Sequence, residues 1–199
     1  VMAKDGSSFI DSFSNVTTPN KVALRALDGA VLTWLEQNEL DKTHPLTAYH
    51  AQLTAPRFGT IKAEDGQTMH YRMFEPAAFE PGKKYPVIVS VYGGPHAQRV
   101  TNSWSARDLY LHYLVQQGYL VFQLDNRGSY NRGKAFEDPI YKKLGVAEIA
   151  DQIKGVEYLR SLPYVDAGKI AIYGHSYGGY MAIMAMFKAS DYFAAGVSG

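Results

Sequence analysis

Apolar positions along the chain change their rhythm twice. From Ser8 to Leu35 they come in three short runs, Ser8-Phe-Ile-Asp-Ser-Phe13, Lys21-Val-Ala-Leu-Arg-Ala-Leu27 and Ala30-Val-Leu-Thr-Trp-Leu35. The last two are joined by Asp28-Gly29, a dipeptide suited to a tight hairpin turn. Three strands cannot bury both faces of a sheet, so this segment is expected to belong to a larger strand array begun upstream of Val1. Residues 37–57 are polar and irregular, with Pro45 and Pro56, and read as a linker into a second domain. A second hairpin is predicted from Gly59-Thr-Ile-Lys-Ala63 and Thr68-Met-His-Tyr-Arg-Met-Phe74, meeting around Asp65-Gly66.

After residue 85 strands and helices alternate. Pro86-Val-Ile-Val-Ser-Val-Tyr92 is a continuous β-branched run, as expected of a strand covered on both faces, and it ends at Gly93-Gly94-Pro95. Ser105 to Gln117 has helical spacing and stops at Gly118. Tyr119-Leu-Val-Phe-Gln-Leu124 is a second buried-type strand, closed by Asp125-Asn-Arg-Gly-Ser129. A helix is predicted over Val146–Ser161, with apolar positions at Val146, Ile149, Ile153, Val156 and Leu159 and a stop at Pro163. Ile170–Tyr173 is a third strand, Tyr177–Lys188 a third helix, and Phe193–Val197 begins a fourth strand. This alternation predicts an α/β fold, a parallel sheet with helices on both faces, over residues 58–199.

Composition narrows the chemistry by exclusion. The 199 residues carry 20 basic and 19 acidic side chains with no basic stripe, which argues against nucleic acid or an anionic membrane surface as partner. There is no cysteine, so neither a disulfide framework nor a thiolate metal site exists. No apolar run is long enough to span a membrane, and no signal peptide is visible. His44, His50, His70, His96 and His112 lack metal-ligand spacing, so neither metal nor cofactor is expected. Compartment stays open between periplasm and cytoplasm. Asn15-Val16-Thr17 fits a glycosylation acceptor, a tripeptide common by chance.

The chemistry concentrates at Gly174-His175-Ser176-Tyr177-Gly178, a G-x-S-x-G pattern between a buried strand and a helix. In that context the serine occupies a sharp turn that larger flanking residues would block, and Ser176 becomes the candidate nucleophile. The Tyr177 N–H, opening the next helix, is placed to meet an oxyanion. Tyr92, at the end of an earlier strand, offers its neutral phenol as the second donor. A serine of this kind needs a histidine base and an orienting acid, in the chain order Ser, acid, His. Residues 177–199 hold Asp191, read as a surface turn residue, and no histidine, so the base is expected beyond Gly199. His175 is read as packing or structural hydrogen bonding, Asp125 with Arg127 as ties for the 126–129 loop, and Met181, Met184 and Met186 as core.

Val91-Tyr-Gly-Gly-Pro95, Asp125-Asn-Arg-Gly-Ser129 and Gly174-His-Ser-Tyr-Gly-Gly-Tyr180 together resemble the prolyl oligopeptidase family of serine peptidases, within it the dipeptidyl peptidase IV branch. Tyr92 separates this branch from acylaminoacyl-peptidase relatives, which typically have His-Gly-Gly-Pro there, whereas His175 departs from the tryptophan usual in dipeptidyl peptidases. The resemblance implies an α/β-hydrolase fold, of which 58–199 would be the N-terminal half, preceded at 1–36 by the closing strands of a β-propeller. It further implies Ser176 as nucleophile, Tyr92 and Tyr177 as oxyanion hole, peptide substrates and a possible homodimer.

The expected function is that of a serine exopeptidase releasing N-terminal X-Pro or X-Ala dipeptides through an acyl-enzyme on Ser176, the 199-residue piece alone being inactive and marginally folded. The alternatives are an acylaminoacyl peptidase or esterase on the same fold, and a non-catalytic binding module.

Overall fold

A computed structural model describes residues Val1–Gly199. Backbone packing divides the chain into two compact units, Val1–Ala55 with Asn102–Tyr110, and Pro56–Thr101 with Leu111–Gly199.

The first unit is a three-stranded antiparallel sheet of β1 (Ser8–Asn15), β2 (Thr18–Ala26) and β3 (Val31–Glu36), in that order. Asp28-Gly29 makes the predicted turn: Gly29 has φ +87°, and the Asp28 Oδ1 accepts the Ala30 N–H at 2.9 Å. Arg25 Nε pairs with Asp11 across β1 and β2 at 2.8 Å. Val31, Leu32, Trp34 and Leu35 of β3 are all exposed, so this sheet keeps an apolar surface uncovered within its unit. A four-residue helix, α1 (Thr47–His50), interrupts the otherwise irregular stretch that follows.

The second unit is a mixed α/β layer structure. Its six-stranded sheet runs β4 (Arg57–Lys62), β5 (Thr68–Phe74), β7 (Leu120–Asp125), β6 (Tyr85–Val91), β8 (Val165–Gly174), β9 (Ala195–Ser198). The last four strands in that order are parallel, whereas β4 pairs β5 and β5 pairs β7 antiparallel. The sheet is therefore not purely parallel as the alternation suggested. The predicted Asp65-Gly66 hairpin extends it at one edge instead of standing apart, with Gly66 at φ +83° in the turn.

Helix α2 (Asp108–Gln116) begins three residues later than its spacing predicted. Ser105 and Ala106 are spent on a turn whose carbonyls accept the Asp108 and Leu109 N–H groups. Its Leu111 and Leu114 pack with Phe74 and Val121 on one face of the sheet. Helices α4 (Ala147–Ser161) and α5 (Tyr177–Lys188) contribute to the larger core, with Val87, Val89, Leu120, Phe122 and Ile172 from the strands. A short helix α3 (Lys134–Glu137) and the 3-10 turn behind it were not signalled by any apolar period. Helix α4 ends before Pro163 because a residue preceding proline is pushed out of helical geometry, and Leu162 is extended.

Arg57 ties the antiparallel edge to α4. Its guanidinium bonds both carboxylate oxygens of Glu75, the Tyr71 and Tyr158 hydroxyls at 2.8 and 3.1 Å, and the Tyr164 hydroxyl at 3.1 Å. Burial, reinforced by Tyr158, pushes the Tyr71 phenol up to about 12, and burial beside the Glu75 carboxylate does the same for Tyr164. A phenol whose folded pKa exceeds its unfolded value near 10 stabilises the fold fully below pH 10. That contribution is lost as pH rises from 10 to 12. Urea melts across this window should show a falling midpoint, with a shallower fall in Tyr164→Phe; an unchanged slope in the variant would contradict the assignment.

Candidate active site

Three loops meet at the carboxyl ends of adjacent parallel strands. Val91, at the end of β6, pairs with Gly174, at the end of β8, and β7 lies on the other side of β6. Tyr92 follows β6, Asp125 ends β7 and Ser176 lies two residues beyond β8, so the three sequence motifs are spatial neighbours. Ligands of open α/β sheets bind at this edge.

Ser176 sits between β8 and α5 at φ 58° and ψ −122°, a backbone conformation that side chains with a Cβ rarely adopt. It is exposed. The chain can turn this sharply only because its neighbours lack side chains: a Cβ on Gly174 would run into the Gly178 backbone, and one on Gly178 into the Val91 carbonyl. Four backbone hydrogen bonds hold the turn. Ser176 N–H donates to Gly199 O at 2.8 Å, Gly199 N–H to Gly174 O at 3.0 Å, Gly178 N–H to His175 O at 2.9 Å and Tyr180 N–H to Ser176 O at 3.1 Å.

Tyr92 and Tyr177 stand side by side, ring centroids 6.0 Å apart, and Tyr180 meets Tyr177 edge-on at 5.3 Å. The Arg99 guanidinium lies 5.3 Å over the Tyr92 ring. The Tyr177 hydroxyl donates to Glu148 Oε1 at 2.7 Å, and burial together with that carboxylate raises the phenol well above the ordinary tyrosine range. The phenol is therefore a neutral donor at any physiological pH.

Buried polar groups fix the loops. Asn126, fully buried, donates from Nδ2 to Gly93 O at 2.9 Å, and its Oδ1 accepts Gln152 Nε2 at 2.8 Å. Asp125 accepts the Arg99 and Val100 N–H groups at 2.8 and 3.0 Å, and its burial raises the carboxyl above the usual range. Arg127 forks onto Asp151, with Nη2 to Oδ1 at 2.7 Å, and reaches Asp65 at 2.8 Å. Asp125 and Arg127 thus secure different loops, Asp125 the one after β6, rather than jointly closing 126–129 as expected. His175 also differs from expectation: its side chain is exposed, and the residue contributes a backbone carbonyl to the turn. Met181 is fully buried, with Met184 and Met186 packed beside the core. Asp191 is exposed, and its carbonyl accepts Arg160.

The residues missed from the sequence lie on α4. Glu148, Asp151 and Gln152 are all essentially buried: Asp151 and Gln152 hold the 126–129 loop through Arg127 and Asn126, and Glu148 holds Tyr177 at the start of α5. Their spacing, i, i+3 and i+4, on the flank of an apolar stripe was the available signal. No group of three or more His, Cys, Asp or Glu side chains converges to hold a metal ion, and no helix is long and apolar enough to cross a membrane.

Residues 104–199 match the prolyl oligopeptidase family. This segment belongs to that family. Human dipeptidyl peptidase 8 is 36% identical over 96% of the chain, which covers 22% of that protein. A solved Bacteroides ovatus protein assigned as a dipeptidyl aminopeptidase IV superposes over the whole chain with a TM-score of 0.90 at 42% identity, and Porphyromonas gingivalis dipeptidyl peptidase 4 does so with 0.85 at 31%. The chain spans 28% of each of those two structures. The prolyl oligopeptidase family is one of serine peptidases, and its fold is shared here.

The glycine requirement is testable on stability alone. Gly178→Ala would force the first turn of α5 away from Val91, and a cost of about 3 kcal/mol or more is expected from a clash with backbone that cannot swing aside. Thermal melting of the variant checks it, with Gly168→Ala as the control, since a Cβ there meets no atom closer than 3.6 Å.

Proposed function

We propose that the protein is a serine exopeptidase that releases N-terminal dipeptides with proline or alanine in the second position. The observation that carries this reading is the strained, exposed Ser176 beside the Tyr92–Tyr177 pair. The names of the relatives, dipeptidyl peptidases 8 and 4, support the dipeptide unit.

In this reading Ser176 Oγ attacks the scissile carbonyl carbon while its proton passes to a histidine. The carbonyl oxygen becomes an oxyanion and receives hydrogen bonds from the Tyr92 hydroxyl and the Tyr177 N–H. Collapse of the tetrahedral species expels the amine, which takes the proton from the histidinium, and leaves the dipeptide esterified to Ser176. Water then attacks that ester with the same histidine as base. None of the six histidines follows Ser176 as the order Ser, acid, His requires, and neither the base nor its acid is assigned to a numbered residue.

The second unit is read as part of an α/β-hydrolase domain, consistent with the serine turn and the parallel strands around it. The first unit is read as closing strands of a β-propeller. Its three-stranded sheet leaves Val31, Leu32, Trp34 and Leu35 uncovered, which is the surface a larger strand array would bury.

Hydrolysis of Ala-Pro-anilide by the whole protein, compared with its N-blocked form, tests the proposal. Only the free-amine substrate should be cleaved, and Ser176→Ala should abolish turnover. Tyr92→Phe should lower kcat by about 10²–10³ with a smaller change in KM, as for loss of one oxyanion donor. Preference for the blocked substrate would move the protein to acylaminoacyl peptidases, and activity on neither would leave a binding module.

A further inference from the structure

Glu148 lies beside the site with none of its surface exposed. A buried carboxylate is costly unless its oxygens are occupied. Both are: Oε1 accepts the Tyr177 hydroxyl at 2.7 Å, and Oε2 accepts the Val146 N–H at 3.1 Å, just before the start of α4.

Packing alone does not call for this arrangement. An apolar residue of similar volume would fill the space at lower desolvation cost, whereas a carboxylate facing a phenol gives direction to the far end of the ring. The near end of that ring is wedged. A Cβ on Gly94 would come within 2.5 Å of it, the Tyr92 ring lies beside it, and Tyr180 meets it edge-on. Tyr177 is the first residue of α5, so its N–H belongs to the first turn of N–H groups that no helical carbonyl satisfies. The ring thus spans from the loop that carries the Tyr92 donor to the Glu148 anchor on α4, and its own backbone carries the other donor.

We infer that Glu148 is a positioning residue for the oxyanion hole, acting through the Tyr177 phenol to hold the Tyr177 N–H and the Tyr92 loop at a set separation. This rests on the reading of Ser176 as nucleophile. Glu148 touches neither substrate nor reacting atoms. Its role lies in the precision of the two donors, where misplacement by about 1 Å is enough to cost rate.

The whole protein with Glu148→Ala, Glu148→Gln, Tyr177→Phe and the Glu148→Ala/Tyr177→Phe pair provides the test. Active sites are counted with a fluorophosphonate, which phosphonylates an activated serine with loss of fluoride, so that rates refer to folded enzyme. Glu148→Ala and Tyr177→Phe should each lower kcat/KM about tenfold, near 1.4 kcal/mol of transition-state stabilisation, with the loss mainly in kcat. The double variant should be no slower than the slower single, because both changes break one link. Glu148→Gln, which keeps an acceptor for the phenol, should recover part of the loss. Should Glu148→Ala prove too unstable, Glu148→Gln and Tyr177→Phe carry the comparison.

A fall in melting temperature with unchanged kcat per titrated site would overturn the inference and leave Glu148 a purely structural group. Losses that multiply in the double variant would overturn it as well. Activity surviving Ser176→Ala would instead fell the nucleophile reading, and this inference with it.

Discussion

The first turn of α5 lies against the ends of β6 and β8 so closely that no side chain fits between them. Gly178 abuts the Val91 carbonyl and Gly174 abuts Gly178, while Val91 and Gly174 are themselves partners in the sheet. From this contact the rest of the site follows. It places a helix N-terminus, with its unsatisfied N–H groups and partial positive charge, directly over the serine turn. It brings the loop after β6 alongside, which is why the Tyr92 and Tyr177 rings are neighbours although 85 positions separate them. A looser approach would leave a serine near a helix end without the Tyr92 ring alongside.

Helix α4 is the platform that keeps the three loops in place. Along one side it presents Glu148, Asp151 and Gln152: Glu148 reaches Tyr177 at the start of α5, while Asp151 and Gln152 hold the loop after β7 at Arg127 and Asn126, and Asn126 in turn bonds the Gly93 carbonyl of the loop after β6. Their apolar neighbours Ile149, Val156 and Leu159 bury the helix in the core, so the polar contacts are made from a rigid element. A buried polar network of this kind adds little net stability, because desolvation offsets most of the attraction. What it supplies is direction. Each loop is held by groups that bond at one angle and one distance, whereas apolar packing alone would tolerate sliding.

How much of this could be read in the sequence depended on whether the signal was local. The G-x-S-x-G turn was legible because its glycines, strand and helix all lie within about twenty residues, and the same holds for the Asp28-Gly29 and Asp65-Gly66 hairpins. The attachment of the second hairpin was not. Nothing in Thr68–Phe74 says that β5 will pair antiparallel with β7, since that register is set by a strand about 50 residues later. Asp125 and Arg127 were adjacent in a motif and so were assigned to one loop; their true partners, the Arg99 and Val100 amides and the Asp151 carboxylate, are distant in the chain. Glu148 was hidden for a further reason. On a helix read by its apolar stripe, a glutamate is assumed to face water, and only the position of Tyr177 above it makes the inward orientation favourable.

The conformation of Ser176 costs free energy of order 1–3 kcal/mol, which something must offset. The four backbone hydrogen bonds around it do so unevenly. Those of Gly178 and Tyr180 belong to the opening of α5 and would form in any helix start, but Ser176 N–H donates to Gly199 O and Gly199 N–H to Gly174 O, which ties the turn to the residue that follows β9. The serine turn is therefore closed by the strand that follows the helix and not by the helix alone. Residues Ala195–Ser198 pair with Ala171–Gly174 in register, and that pairing delivers Gly199 to the turn. A Cβ on Gly179 would meet the Gly199 carbonyl and the Ser198 hydroxyl, so the start of α5 is as tightly fitted on this side as on the Val91 side. The strained serine is thus held from both flanks by backbone, which can shift less than side chains can, and this is what allows it to stay exposed without relaxing.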